Sequence, residues 1–380
     1  MEKLFEDKVR TFLGPANHNE NSYDYFDRSA RNDISVTRNM LNDWFSNYPA
    51  SERKELKNSF KKKFDDCFFE LFLYQLFSNL GFTIEVHPAL AHTSKKPDFL
   101  IKKGDLEIYI EAKIVKDKSV EQEGIEKKIN EFYDNFSKLD SKGFLLNLSQ
   151  FNLKSSRQPS TKGIIRHIEN EIDKYDPDEV TKVLEEKGAD AMPIITYENK
   201  DLEVEVKLIP VIPSARKIKK KPIGIYPFDT FWGGGEKSLK ESIRYKAKRY
   251  GKLEKPFIVC LNSLDIKTSG KIDVDNSIWG SLAWSWSTNP ENRDEKWVRE
   301  QNGVFLEKGE PKLENLSGIF VTKVNPFNIH VAKYWLYKHP FSKNNLDFEC
   351  LGLVYSYVND GKIISHEGNN LYEIFNLEKG

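Results

Sequence analysis

Apolar residues early in the chain recur at intervals of three and four, the spacing that predicts amphipathic helices. One such stretch covers residues 35–49 and ends at Pro49, a residue that favours a helix boundary. A longer helix is predicted from Ser51, which suits a helix amino end, to Gly81, which suits the left-handed conformation that closes helices. Because the second half of this segment is almost wholly apolar, we expect it to be buried.

Beyond this helix the polarity alternates at every second residue, as is typical of strands. A short strand is predicted over residues 82–88, and a hairpin follows over residues 97–113. The glycine in the hairpin favours a two-residue turn formed by Lys103 and Gly104. Each strand of this hairpin should therefore present one apolar and one polar face.

In this register Asp98 lies opposite Tyr109 and shares the polar face with Glu111 and Lys113. Glu111 is then diagonal to Asp98, with backbones about 7 Å apart, a separation that one divalent ion can bridge. The ammonium of Lys113 lies one strand step further, where it can hold a water molecule or neutralise negative charge. The alternative is a solvated strand face on which Glu111 and Lys113 form a surface ion pair worth about 0–1 kcal/mol.

A further helix is predicted after the hairpin, because Ser119 and Gln122 form a capping box ahead of apolar residues at helical spacing. A buried strand over residues 143–149 follows, and a basic helix is predicted over residues 236–250. The later region is rich in turns and tryptophans, which favour core packing, with base stacking as an alternative. We expect three parts, namely an N-terminal helical extension (1–50), a core with additions (51–265) and a C-terminal α+β region (266–380).

Composition adds limits to this picture. Of the 380 residues 39% are hydrophobic, which supports a folded interior, and 58 basic side chains balance 58 acidic ones. Attraction to nucleic acid must therefore come from local patches. The three cysteines lack paired spacing, which speaks against a disulfide framework or a structural zinc site. No segment approaches the roughly 20 apolar residues of a membrane span, so we expect a cytoplasmic protein without a membrane partner.

Glu70 is the only acid in the strongly apolar stretch of residues 67–77. A partly buried carboxylate requires a polar partner, and a metal-bound water would supply one. The alternative is that Asp66, Glu70 and Tyr74 mark the solvent-facing stripe of an amphipathic helix. Glu70 is therefore a candidate site residue together with the hairpin acids.

The succession of a helix carrying Glu70, a strand, a "PDF" strand, an "EAK" strand, a capped helix and a further strand resembles the core of the PD-(D/E)XK nuclease superfamily, over about residues 64–149. The resemblance implies an α/β fold with a restriction-endonuclease-like core, in which a central mixed sheet is flanked by helices. It also implies that Glu70, Asp98 and Glu111 hold one or two Mg²⁺ ions, for which Mn²⁺ can substitute. Lys113 would assist the attacking water.

Branches that resemble the RecB exonucleases carry Q-x-x-x-Y in the following helix, whereas Gln122 is followed four positions later by Glu126. This departure favours a DNA endonuclease of the restriction-modification or anti-phage-defence type. Assembly as a homodimer, or with a partner subunit of a defence system, is left open. The alternatives are a non-catalytic nucleic-acid-binding or assembly module that keeps the nuclease core, and an RNase.

Three short basic clusters are candidate contacts for the phosphates of DNA. The first lies within the long helix that ends at Gly81, the second follows the strands near residue 212, and the third lies along the basic helix. For each cluster a solvated surface is the alternative. The candidate residues are Lys61, Lys62, Lys219, Lys220, Lys237, Arg244 and Lys248.

Overall fold

The structure is a computed structural model that describes residues 2–116, 120–155, 157–217, 221–227, 234–268, 270–289, 291 and 294–378. Its helices are α1 (Ser22–Arg28), α2 (Asn32–Asn47), α3 (Ala50–Phe60), α4 (Phe64–Asn79), α5 (Val120–Phe136), α6 (Thr161–Ile172), α7 (Pro177–Lys187), α8 (Pro213–Arg216), α9 (Gly235–Ala247), α10 (Lys271–Trp279) and α11 (Leu371–Ile374). Within the described part of the chain, no helix is both long and apolar enough to cross a membrane.

The strands form a large mixed sheet and smaller sheets. They are β1 (Thr83–Val86), β2 (Phe99–Lys103), β3 (Leu106–Val115), β4 (Phe144–Leu153), β5 (Ile194–Glu198), β6 (Leu202–Pro210), β7 (Ile223–Ile225), β8 (Phe257–Ser263), β9 (Leu282–Ser285), β10 (Lys296–Arg299), β11 (Leu306–Glu307), β12 (Glu310–Pro311), β13 (Gly318–Thr322), β14 (Tyr334–Lys338), β15 (Tyr355–Asn359) and β16 (Lys362–His366). The α/β class predicted from the sequence is confirmed, since helices flank a central mixed sheet.

The chain divides into two compact units. The first comprises Met1–Gly14, Asn21–Asp117 and Trp232–Gly380, and the second comprises Pro15–Glu20 and Lys118–Phe231. This division differs from the expected boundaries at residues 50 and 265. A boundary at residue 265 would separate β8 from β13, although these strands are hydrogen-bonded neighbours in one sheet.

The large sheet of the first unit has the strand order β1-β2-β3-β8-β13-β14-β15-β16. Strands β1, β2 and β3 form an antiparallel meander, and β3, β8 and β13 run parallel to one another. Helix α4 precedes the meander, and α9 precedes β8. Because β3 and β8 are parallel, the chain must cross over between them, and α9 lies in this crossover.

The strand beside β3 lies outside residues 64–149, the segment on which the family resemblance rests. Strand β4, at the position of the predicted strand 143–149, belongs to the separate sheet β5-β6-β4-β7 of the second unit. Strand β8 takes the place beside β3 instead. Every residue of β8 is buried, as expected for a strand covered on both faces, whereas burial alternates over the first part of β4. The second unit is thus inserted in the sequence between β3 and α9.

The long helix expected from Ser51 to Gly81 is two helices, α3 and α4. The chain leaves helical geometry at Lys63, where φ is −138° and ψ is 62°. Helix α3 has one buried side, whereas α4 is buried over most of its circumference. The two helices therefore meet the core differently, and the break falls among exposed lysines. Gly81 follows α4 with φ of +83°, as its predicted closing role requires.

Candidate active site

The β2–β3 hairpin turns one residue later than expected, at Gly104 and Asp105. Gly104 has φ of +59°, a conformation that glycine adopts without strain at the first position of such a turn. The pairing therefore shifts by two residues, which leaves every side chain on its predicted face. Because Phe99 pairs with Ile110, the same register continued by one residue places Asp98 opposite Glu111, and not opposite Tyr109.

Asp98 and Glu111 lie on a covered face of the sheet. Glu111 is only 1% exposed, and Tyr109 on the same face is buried in a core that includes residues of α9. A carboxylate oxygen of Asp98 accepts a hydrogen bond from the backbone N–H of Ala112 at 2.6 Å. Burial and the negative charges of Glu111 and Glu70 raise the pKa of Asp98 to about 8. The solvated strand face, the alternative for this hairpin, is therefore excluded.

Both carboxylate oxygens of Glu111 are engaged by side chains from the end of α9 and the residues that follow it. The ammonium of Lys246 donates to Oε1, and the hydroxyl of Tyr250 donates to Oε2. Arg249 adds a second positive charge, with its Nε 3.7 Å from Glu111 Oε1. Lys246 lies in the last turn of α9 and Tyr250 in the turn that follows the helix, and both side chains reach the same carboxylate.

Lys246 and Tyr250 were not among the residues predicted from the sequence. Lys246 is only 9% exposed and lies beside the apolar stripe of α9 that contains Ile243 and Ala247. A lysine on the buried side of a helix needs an anionic or hydrogen-bonding partner. That signal is present in the sequence, although it does not identify Glu111 as the partner.

Lys113 lies on the same face of β3 as Glu111 and is half-buried. Within the described residues it forms no hydrogen bond or ion pair. The surface pair between Glu111 and Lys113, which was the alternative to a metal site, is therefore absent from the described residues, where Lys246 pairs with Glu111 instead. The ammonium of Lys113 can then contact a ligand.

Glu70 accepts a hydrogen bond of 2.7 Å from the hydroxyl of Tyr48, whose side chain is almost fully buried. Burial raises the pKa of Glu70, and this hydrogen bond lowers it in part. Its negative charge also contributes to the raised pKa of Asp98. Glu70 is therefore close enough to Asp98 to act on it electrostatically, but its own polar partner is Tyr48.

The donor set suits a Mg²⁺ ion held by few protein ligands. Among the described residues, no three His, Cys, Asp or Glu side chains converge in a way that could hold a metal. Mg²⁺ commonly takes only one or two carboxylates and completes its shell with water and phosphate oxygens. Burial is the largest cause of the raised pKa of Asp98, and a divalent cation would relieve the repulsion from Glu111 and Glu70 that adds to it. Asp98 and Glu111 therefore fit such an ion, whereas the polar partner of Glu70 is the Tyr48 hydroxyl.

The loop before β2 brings further basic side chains to the end of α9. His92 Nε2 lies 2.7 Å from the carbonyl oxygen of Tyr250, and Lys95 donates to that of Arg249 at 3.2 Å. The Tyr250 hydroxyl is also 2.8 Å from the carbonyl oxygen of Lys96. The side chain of Lys95 and the backbone of Lys96 thus lie at the residues that follow α9, which the sequence did not indicate.

The basic clusters predicted to contact DNA have different environments. Lys61 and Lys62 are exposed after α3, and Lys248 is exposed beyond α9. On α9, Lys237 is 4.0 Å from a carboxylate oxygen of Glu241, and Arg244 is 3.3 Å from one of Glu307. Acidic partners therefore weaken the positive charge of this helix. Lys219 and Lys220 lie outside the described residues.

The β9–β10 hairpin exposes aromatic side chains. Trp284 and Trp297 are cross-strand partners with ring centroids 5.1 Å apart, and they are 42% and 63% exposed. Trp286 is 60% exposed on the neighbouring segment. Core packing is therefore wrong for these three tryptophans but holds for Trp279, which packs against Phe305 and Tyr337, and base stacking stays a prediction.

Comparisons of this chain with protein-family models, with curated proteins and with solved structures give no match. Its function must therefore be inferred from the side chains themselves. The group that carries most chemical information is Asp98, Glu111 and Lys113 on one face of the hairpin, with Lys246 and Tyr250 bound to Glu111.

Proposed function

We propose that this protein is a Mg²⁺-dependent phosphodiesterase that cleaves DNA internally, of the restriction or anti-phage-defence type. The observation that carries the proposal is the pairing of Asp98 opposite Glu111 across the hairpin, with Lys113 on the same face. Two carboxylates and an ammonium at one point match the needs of metal-assisted phosphodiester hydrolysis. The resemblance of "PDF" and "EAK" to the PD-(D/E)XK nucleases supports the same reaction.

Asp98 and Glu111 would hold the ion, and Glu70 would act through a bound water. When bound, Mg²⁺ would polarise the scissile phosphate and lower the pKa of a water molecule. Lys113, which has no ionic partner within the described residues, would orient the attacking water and neutralise charge developing on the phosphate. Lys95 and Lys96, together with the exposed candidates Lys61, Lys62 and Lys248, would bind neighbouring phosphates.

The environment of Lys113 favours catalysis over a purely structural role for this face. A half-buried lysine that served only stability would be expected to pair with the nearest carboxylate. Glu111 is nevertheless neutralised by Lys246 from another element, which leaves the Lys113 ammonium available. A non-catalytic module would gain nothing from that arrangement.

The proposal is tested by incubating the purified chain with plasmid, linear duplex, single-stranded DNA and RNA, each in Mg²⁺ and in chelator. We expect cleavage of DNA that requires Mg²⁺ and is lost in Glu111→Gln. Cleavage of RNA alone would change the substrate class to that of an RNase. No cleavage of any substrate, with nucleic-acid binding retained, would contradict the proposal and favour a non-catalytic module.

A further inference from the structure

The carboxylate of Glu111 already has a bound cation, supplied by the protein itself. Lys246 donates to one of its oxygens, and the hydroxyl of Tyr250 donates to the other. Glu111 and Lys246 are 1% and 9% exposed, so water cannot easily replace this contact. Any other cation that binds Glu111 must therefore share an oxygen with a protein donor or displace that donor.

The two donors differ in how easily they leave Glu111. Tyr250 has a single hydroxyl proton and a second acceptor in reach, the carbonyl oxygen of Lys96 at 2.8 Å. Its hydroxyl can therefore turn away from Glu111 without losing a hydrogen bond. Lys246 carries a full charge, and within the described residues Glu111 is the carboxylate with which it pairs.

A third donor lies close by. The Nε of Arg249 is 3.7 Å from Glu111 Oε1, and this buried atom forms no hydrogen bond within the described residues. The positive charge around Glu111 is thus more than one carboxylate requires for neutrality. A divalent cation would meet repulsion from both Lys246 and Arg249.

We propose that Lys246 is a built-in competitor of the divalent ion, a positioning residue that holds Glu111 in the metal-free protein and sets the metal affinity of the site. The inference rests on the proposed function, because it takes Glu111 as a metal ligand. An ion at Glu111 either takes Oε1 from Lys246 or binds Oε2 against the repulsion of the nearby ammonium, so part of the binding free energy is used against this ion pair.

A purely structural ion pair would behave differently. In both cases removal of the Lys246 charge lowers the melting temperature of the metal-free protein, because a buried carboxylate is left unpaired. If Lys246 is a competitor, its removal also makes the Glu111 carboxylate more available to a divalent ion. A purely structural ion pair has no such effect. Metal affinity therefore separates the two roles, and it can be measured without any nucleic acid.

The experiment is calorimetric titration with Mn²⁺ of the full chain and of Lys246→Met, Lys246→Arg and Lys252→Met. Lys252 is an exposed lysine six positions further along the chain and serves as the matched control. We expect Lys246→Met to bind Mn²⁺ about 10–100-fold more tightly, the scale on which neighbours of a ligand change metal affinity. Lys246→Arg and Lys252→Met should bind like the unmodified protein.

Thermal melting provides a second readout. Lys246→Met should melt at a lower temperature in chelator and gain more from Mn²⁺ than the unmodified protein does. If Lys246→Met does not fold without metal, Lys246→Gln, which keeps a hydrogen-bond donor, takes its place in both measurements.

Unchanged or weaker Mn²⁺ binding by the Lys246 variant would overturn the inference. If the unmodified protein still bound Mn²⁺ and cleaved DNA, the proposed function would stand without it. If neither the unmodified protein nor the variants bound Mn²⁺, the proposed function itself would be contradicted, and the competitor role with it.

Discussion

Lys246 contacts the carboxylate of Glu111 although 135 positions of sequence separate the two residues. The inserted second unit accounts for most of that interval. The candidate site therefore forms only when α9 packs on β3 within the first unit. Substitutions that loosen α9 should disturb the site as well as the core.

Replacing Lys113 with Met should separate metal binding from catalysis. The substitution removes the free ammonium but no carboxylate, so we expect Mn²⁺ binding to persist while DNA cleavage slows roughly 10²–10⁴-fold. Lys102→Met is the control, since Lys102 lies on the same face of the hairpin in an exposed ion pair with Glu85 at 3.0 Å. Calorimetry and cleavage rates measure the two properties. Cleavage by Lys113→Met at the unmodified rate would exclude a catalytic role for Lys113.

Tyr250→Phe should destabilise the metal-free protein. It removes the hydroxyl that donates to Glu111 and keeps the ring, which packs 5.9 Å from that of Phe257. A hydrogen bond to a charged group contributes roughly 1.5–3 kcal/mol, so the free energy of unfolding should fall by about that amount. Tyr245→Phe, at a 65% exposed position of α9, should change it by less than about 0.5 kcal/mol. Urea unfolding in chelator measures the free energy of unfolding of both variants. An equal change in the two would show that the Tyr250 hydroxyl adds no stability.

His339 should make the stability of the first unit depend on pH. Its Nε2 donates to the carbonyl oxygen of Lys312 at 2.7 Å, and its Nδ1 accepts from the N–H of Phe341 at 3.0 Å. These contacts fit the neutral ring, and burial lowers the pKa of His339 to about 4. The unfolded chain, with a pKa of about 6.5, then binds the proton first as pH falls.

The stabilisation from His339 is therefore complete above about pH 6.5 and is lost as the pH falls towards 4. Between these values we expect the free energy of unfolding to decrease by roughly 3 kcal/mol more than in His339→Gln. His330→Gln, at an exposed histidine, is the control and should keep the pH dependence of the unmodified protein. Denaturant unfolding at several pH values measures the difference, and parallel profiles for all three proteins would refute it.

DNA binding should weaken steeply with salt despite the zero net charge. Lys96 and Lys248 are exposed and form no side-chain ion pair within the described residues, so each can replace a condensed counterion. We expect Lys96→Met to reduce the slope of log affinity against log salt by about 1. Lys142→Met removes a lysine that is paired with Asp173 and should leave the slope unchanged. Titrations in chelator test this, and a flat salt dependence would identify these lysines as solvated surface.

Local sequence was enough to place the acids and the lysine of the hairpin on one face. Side chains alternate between the two faces of a strand, so a register shift of two residues leaves each side chain on its face. The difference in the turn therefore changed the partner of Asp98 from Tyr109 to Glu111 but not its face. The turn itself was ambiguous, because Gly104 fits either of two neighbouring two-residue turns.

Long-range relationships could not be predicted in the same way. The local sequences of β4 and β8 do not indicate which of the two strands pairs with β3. The uninterrupted burial of β8 is consistent with a central parallel strand. The partner of Lys246 was likewise hidden, because the lysine's position on a buried helix face indicates the need for an anion but not its identity.

The decisive measurement is the rate of plasmid cleavage in Mg²⁺ by the unmodified protein, Asp98→Asn and Asp105→Asn. Asp105 lies exposed in the turn of the same hairpin and undergoes the same chemical change as Asp98. We expect the unmodified protein and Asp105→Asn to cleave at equal rates in Mg²⁺ and not in chelator, and Asp98→Asn to be at least about 100-fold slower. Cleavage by Asp98→Asn at the unmodified rate, or cleavage that persists in chelator, would contradict a metal-dependent nuclease site at Asp98 and Glu111.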